Sequence, residues 1–267
     1  MTPSPRSARG LPLRAVVPNA ITALALCVGL SGVRFAIAEE WDKAVVAIVV
    51  AAVLDGMDGR IARMLNGQSR FGAELDSLSD VIAFGVSPGI ILYLWALQYW
   101  PRFGWMFALA FAVCAALRLA RFNAMIDVED QPHKSAGFLT GVPAPAAAGL
   151  LLLPIYVWLA SDGEWDWLRE IYVVAPWAAL IAVLMISNLA TLSWGSLRLR
   201  SHVRIWALAV IALLGGALIT APWLTLSGAA ILYTVLIPVG VWSYSKVRRR
   251  RRAAAAASAA PRPSQPA

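Results

Sequence analysis

The sequence predicts an all-α integral membrane protein of about eight transmembrane helices, because a bilayer core takes roughly 20 apolar residues per helix. Three observations carry this reading. Of the 267 residues, 60 % are hydrophobic and 14 % charged, whereas a soluble domain averages about 25 % charged residues. The apolar residues fall into runs near 16–38, 44–66, 73–97, 104–125, 139–160, 171–190, 203–220 and 224–245. The basic residues are divided by those runs as the positive-inside rule requires.

With the amino end cytoplasmic, the inner loops and tails hold 19 of the 23 basic residues, among them Arg6, Arg9, Arg14, Lys246 and the run Arg248 to Arg252. The outer side holds Arg34, Lys43, Arg102 and Arg169, with the acids Glu39, Glu40, Asp42, Asp162, Glu164, Asp166 and Glu170. An odd number of spans would put the run at 248–252 outside, so eight spans with both termini cytoplasmic is the consistent count. The net charge of +8 then reflects membrane topology and gives no reason to expect a nucleic-acid partner. Cys27 and Cys114 both lie in apolar runs. They form neither a disulfide framework nor a metal-ligand spacing, and read as small packing residues.

In chain order, residues 1–15 form a Pro-, Ser- and Arg-rich cytoplasmic tail. The first apolar run is long enough to span and shows no small-residue cleavage site, so it reads as an uncleaved helix. It opens on Pro18-Asn19-Ala20-Ile21-Thr22, where proline suits a first turn and asparagine a cap. The third run carries Pro88 and predicts an apolar helix with a kink there. The fourth ends in Arg118-Leu119-Ala120-Arg121-Phe122-Asn123. Arg118 and Arg121 share a face, either as a positive-inside anchor or as a cradle for an anionic group. His133, in the loop that follows with Lys134, is given no role. The acidic loop at 161–170 reads as a solvated face, and the basic loop at 191–204 should lie against anionic headgroups. Residues 246–267 form a basic, Ala/Pro/Ser-rich cytoplasmic tail without a packed core.

The chemistry concentrates between Asp55 and Asp80. Asp55 and Asp58 are three apart on the second helix; Asp76 and Asp80 are four apart at the start of the third. An ionised carboxylate beside apolar segments costs several kcal/mol unless something pairs with it. Two such pairs on adjacent helices suit hard cations, which take oxygen ligands. Gly56, Gly59 and Gly72 would let a bulky ligand approach the backbone, and Arg60 and Arg63 add charge of the kind that holds phosphate. The topology puts all four aspartates at the cytoplasmic membrane boundary, where a lipid-anchored donor can meet a soluble acceptor.

Asp55, Asp58, Gly59, Ala62, Arg63, Gly72, Asp76 and Asp80 resemble, at every fixed position, the D-x-x-D-G-x-x-A-R-x8-G-x-x-x-D-x-x-x-D signature of the CDP-alcohol phosphotransferases. The likeness covers about residues 16–190, implying a six-helix core with two helices added, within a transmembrane catalytic domain over 16–245. Pro18-Asn19-x-x-Thr22 matches a further family pattern and implies that Asn19 and Thr22 line the nucleotide pocket. Leu75 to Pro88, Arg118 to Asn123 and Gly137 to Pro145 look like the phosphatidylserine synthase branch; the phosphatidylglycerophosphate branch has Lys where this chain has Val81.

The resemblance implies transfer of a phosphatidyl group from CDP-diacylglycerol to L-serine with release of CMP, in the bacterial or archaeal cytoplasmic membrane. It implies one or two Mg2+ or Mn2+ ions on Asp55, Asp58, Asp76 and Asp80, with Asp80 also the candidate base. Asn19, Thr22, Gly59, Ala62, Arg63 and Gly72 would bind CDP-diacylglycerol, and Arg118, Arg121 and Asn123 the serine carboxylate or a phosphate. A homodimer among membrane lipids is implied as well. Glycerol 3-phosphate or inositol phosphate is the alternative acceptor. A cation transporter is the alternative from another class, opposed by the clustering of the four aspartates at one side of the membrane, with no acid in the outer half of any span, and by the lack of an inverted repeat.

Overall fold

The structure, a computed structural model, describes residues 13–100, 102–124, 138–187, 190–192, 201–238 and 240. The tail at 1–12, His133, Lys134, Gly137 and the basic tail at 246–267 lie outside the described residues. Helices dominate what is described. Three of them, Val16–Ile37, Arg70–Trp95 and Gly104–Ala124, are long and apolar enough to cross a membrane, and Ile171–Ile186, Ala209–Thr220 and Pro222–Pro238 are shorter apolar helices.

α1 (Leu13–Ile37) and α2 (Trp41–Met64) form a hairpin closed at Glu39, whose φ is 59°. α1 begins five residues before Pro18, so Pro18 and Asn19 lie inside the helix and the predicted capping role of Asn19 falls away. The chain reverses again after α2. Asn66 takes a left-handed φ of 50°, and the Gly67 amide returns to the Ala62 carbonyl at 2.9 Å. That is a helix stop which asparagine tolerates better than most residues. Ser69, in extended backbone, then accepts a hydrogen bond from the Gly72 amide at 3.0 Å and caps α3 (Arg70–Asp80). This reversal brings Asp76 and Asp80 back past Asp55 and Asp58.

α3 continues through a π-helical stretch, Val81–Val86, into α4 (Ser87–Trp95). The local distortion therefore precedes Pro88. Proline has no amide to donate and its ring crowds the carbonyl four residues back; ahead of it the Ser87 amide reaches Ile82, five residues back. Small residues hold the stretch on two sides. A Cβ on Gly29 of α1 would lie 2.8 Å from the Ala83 Cβ, and one on Gly85 would lie 2.7 Å from the Ala115 Cβ of α5 (Gly104–Ala124). Small residues let membrane helices approach this closely. Phe84, Ile91, Trp95, Phe111, Tyr156 and Ile181 fill the core around them.

The segment expected as one helix over 139–160 differs. Phe138–Thr140 pairs antiparallel with Ala190–Leu192, and the helix that follows is split into α6 (Ala144–Leu151) and α7 (Leu153–Ala160). Pro154 removes an amide at the junction, and Leu152 leaves helical geometry at φ −84°, ψ 3°. α8 (Ile171–Ile186) packs along α5, and α9 (Ser201–Thr220) and α10 (Pro222–Pro238) complete the described helices. On α5, Met106, Leu109, Val113 and Leu117 form one exposed apolar stripe, the surface that lipid would cover.

The loop expected as a solvated face is only partly so. Leu168 is buried, and Arg169 reaches back to donate to the Trp95 carbonyl at the end of α4, 3.0 Å away.

Candidate active site

The last turns of α2 and the first turns of α3 flank one cleft, and both helices pack against α1. The cleft has a volume of about 360 Å³. Its wall includes Asn19 and Thr22 from α1; Asp58, Gly59, Ala62 and Arg63 from α2; and Gly72, Ala73 and Asp76 from α3. All six residues expected to bind the nucleotide lipid therefore line one cavity. Pro18, Gly67, Gln68 and Ser69 complete the wall. Pro18 belongs to the Pro18-Asn19-x-x-Thr22 pattern, and Ser69 left a trace as a serine three residues before Gly72 at a helix start.

Carboxylate oxygens of Asp55, Asp76 and Asp80 all lie within 4.8 Å of one another, each side chain half-buried. The Asp55 and Asp80 carboxylates come within hydrogen-bonding reach. Asp80 Oδ1 is buried and meets no hydrogen-bond donor among the described residues. Three acids in contact away from bulk water repel one another unless a proton or a cation lies among them. Oxygen-only donors at this separation fit a hard divalent cation.

Asp58 stands apart from that trio. Its side chain is buried, and its Oδ2 accepts a 2.6 Å hydrogen bond from the Thr22 hydroxyl, which also approaches the Pro18 carbonyl at 3.1 Å. Ser79 of α3 donates to the Thr22 carbonyl at 3.3 Å. Thr22 thus joins α1 to both acid-bearing helices. The near-isosteric Thr22→Val would strand a buried carboxylate oxygen, a loss of about 1–3 kcal/mol. It is expected to lower the unfolding temperature in detergent, and Thr22→Ser, which keeps the hydroxyl, to recover most of the difference.

The glycines have distinct surroundings. A Cβ at Gly72 would meet Asn19 Oδ1 at 2.6 Å, so this glycine lets Asn19 approach the α3 start. Beside Gly59 the nearest atom would be Arg63 Nη1 at 3.7 Å, and beside Gly56 there is open space. The protein itself makes no steric demand at either position.

Arg118, Arg121 and Asn123 are not part of the cleft wall. Arg118 is within electrostatic reach of Asp80 and Arg121, and its Nε is buried without an acceptor among the described residues. The Asn123 amide donates to Ser77 Oγ at 2.9 Å, tying the end of α5 to α3 between the two acids.

A family model described as CDP-alcohol phosphatidyltransferase matches residues 15–194, the stretch that builds this cleft. The chain belongs to the CDP-alcohol phosphatidyltransferase family. A second model, described as CDP-alcohol phosphatidyltransferase 2, matches residues 202–238. The chain is 38 % identical over 247 residues to a CDP-diacylglycerol–serine O-phosphatidyltransferase of Mycobacterium tuberculosis, covering 91 % of this chain and 84 % of the relative. A Mycobacterium leprae relative of the same description is 36 % identical, covering 90 % and 79 %. One from Helicobacter pylori is 36 % identical over 174 residues, covering 64 % and 70 %. Membership of a transferase family removes the ground for the transporter reading.

Proposed function

We propose that this phosphatidyltransferase makes phosphatidylserine, transferring the phosphatidyl group of CDP-diacylglycerol to L-serine and releasing CMP. The observation that carries the proposal is one cleft lined by six of the eight signature residues, in a chain matching serine-accepting relatives over nine-tenths of its length.

Asp55, Asp76 and Asp80 would hold one or two divalent cations, Mg2+ or Mn2+, with Asp58 beside them. Such ions, when bound, supply charge neutralisation for the diphosphate and its leaving group. The chain's own residues do the rest. Asn19, Thr22, Gly59, Ala62, Arg63 and Gly72 receive the cytidine diphosphate, with Arg63 the cation suited to its phosphates. The serine hydroxyl attacks the phosphorus bearing the diacylglycerol; a new P–O bond forms as the diphosphate bridge breaks, and CMP departs with the bridging oxygen. Asp80 takes the hydroxyl proton as that bond forms. Arg118 and Arg121 hold the serine carboxylate, and Asn123 steadies Ser77 and thereby α3.

The proposed frame is eight spans in a cytoplasmic membrane, a six-helix core over about 16–190 with two helices added, both termini and the cleft on the cytoplasmic side. Short tails at 1–15 and 246–267 would flank the transmembrane domain at 16–245, and the enzyme would work as a homodimer. The test supplies purified protein with CDP-diacylglycerol, Mg2+ or Mn2+, and serine, glycerol 3-phosphate or inositol phosphate in separate reactions. CMP release with serine alone, abolished by a chelator and restored by the metal, is the expected result. Release with a phosphorylated alcohol instead would overturn the acceptor, and release unaffected by the chelator would overturn the metal assignment.

A further inference from the structure

At the other end of the Arg70–Trp95 span, roughly 20 Å along the helix from Asp80, lies a second cavity, of about 330 Å³. Ala96, Tyr99, Trp100, Arg169, Glu170 and Ile171 line it. Arg169 is fixed there by more than its bond to the Trp95 carbonyl. Its guanidinium lies 5.6 Å from the Trp95 ring, 5.9 Å from Tyr99 and 5.5 Å from Trp158. A cation so held by aromatic rings loses little freedom on meeting an anion. Glu170 beside it begins α8 but makes no capping hydrogen bond with its side chain, so its carboxylate is unused by the helix. Tyr99 and Trp100 leave 70 % and 38 % of their surface exposed, as expected of rings at a membrane–water interface.

One wall therefore offers a preset cation for a phosphodiester. Next to it stand a carboxylate and aromatic faces for an ammonium group. We propose that this cavity binds the headgroup of a zwitterionic phospholipid carrying a primary amine, with Arg169 on the phosphate and Glu170, Tyr99 and Trp100 around the ammonium. The site is separate from the proposed catalytic cleft and does not depend on which acceptor alcohol the cleft uses.

The test is lipid retention by the full-length protein, measured by native mass spectrometry. The purified protein is offered phosphatidylethanolamine, phosphatidylcholine and phosphatidylglycerol with matched acyl chains. Phosphatidylethanolamine should be retained about fivefold more than phosphatidylglycerol, the size of one favourable cation–π or ion contact. Phosphatidylcholine, whose quaternary ammonium cannot donate a hydrogen bond, should fall between. Glu170→Gln should erase the difference between phosphatidylethanolamine and phosphatidylglycerol while leaving CMP release unchanged. Arg169→Lys, which keeps the charge but not the stacked plane, should lower retention of all three. Equal retention of the three lipids by the unaltered protein, or an undiminished preference in Glu170→Gln, would overturn the proposal.

Discussion

Replacing Asp80 with asparagine is expected to lower CMP release by roughly two to four orders of magnitude, the usual contribution of a positioned general base. Asparagine keeps the shape of the side chain and one acceptor oxygen but cannot take the serine proton. It also removes one of the three mutually close carboxylates. Asp80 is absent from the wall of the 360 Å³ cleft, so binding of CDP-diacylglycerol, followed by retention of the labelled lipid on the purified variant, should be largely intact. That split between binding and turnover separates a role in the chemistry from a collapsed cleft. Turnover at the unaltered rate would remove Asp80 from the mechanism. Loss of binding together with turnover would move it into the donor pocket.

The second large effect is on folding. Gly85→Val is expected to destabilise the protein by about 1–3 kcal/mol, the range for overpacking a filled core. The first carbon of the new side chain would already lie 2.7 Å from the Ala115 Cβ. Both residues are buried, and the Ala112 backbone is 3.9 Å away on the same side, so the two helices must separate. Because α3 continues directly into this stretch, activity should fall along with the unfolding temperature. Gly85→Ala should give a smaller loss of the same sign. An unfolding temperature in detergent equal to that of the unaltered protein would show that α5 can yield, against the packing argued here.

Much of the site was legible because its residues are local. Asp55 to Asp80 lie within two helices and one turn, so spacing alone put the acids on facing surfaces, and Asn66-Gly67 supplies the reversal between them. Which acids touch was not legible. Asp58 turns toward Thr22, 36 residues earlier, and spacing on one helix does not report a partner on another. Asn19 looked equally like a cap because Pro18 normally marks a first turn; the helix starts earlier, over Leu13 to Val17, and accepts the proline inside. The pairing of Phe138–Thr140 with Ala190–Leu192 joins segments about fifty residues apart and has no local signal of sufficient length. Arg169 read as a surface charge because its partners at 95, 99 and 158 come together only through the fold.

The π-helical stretch at Val81–Val86 has a consequence for how the chain tolerates changes of length. Each residue added to or removed from an α-helix turns everything beyond it by about 100°. The five-residue reach of the Ser87 amide to Ile82 takes up one residue more than an α turn would. It therefore sets the angular phase between Asp76 and Asp80 on one side and the Ile91 and Trp95 packing face on the other. Substitutions that restored plain α geometry here at unchanged length would keep the acids in the chain yet aim them away from Asp55. The turn at Asn66-Gly67 brings the acids together, and this short stretch keeps their angle to the packing face beyond it.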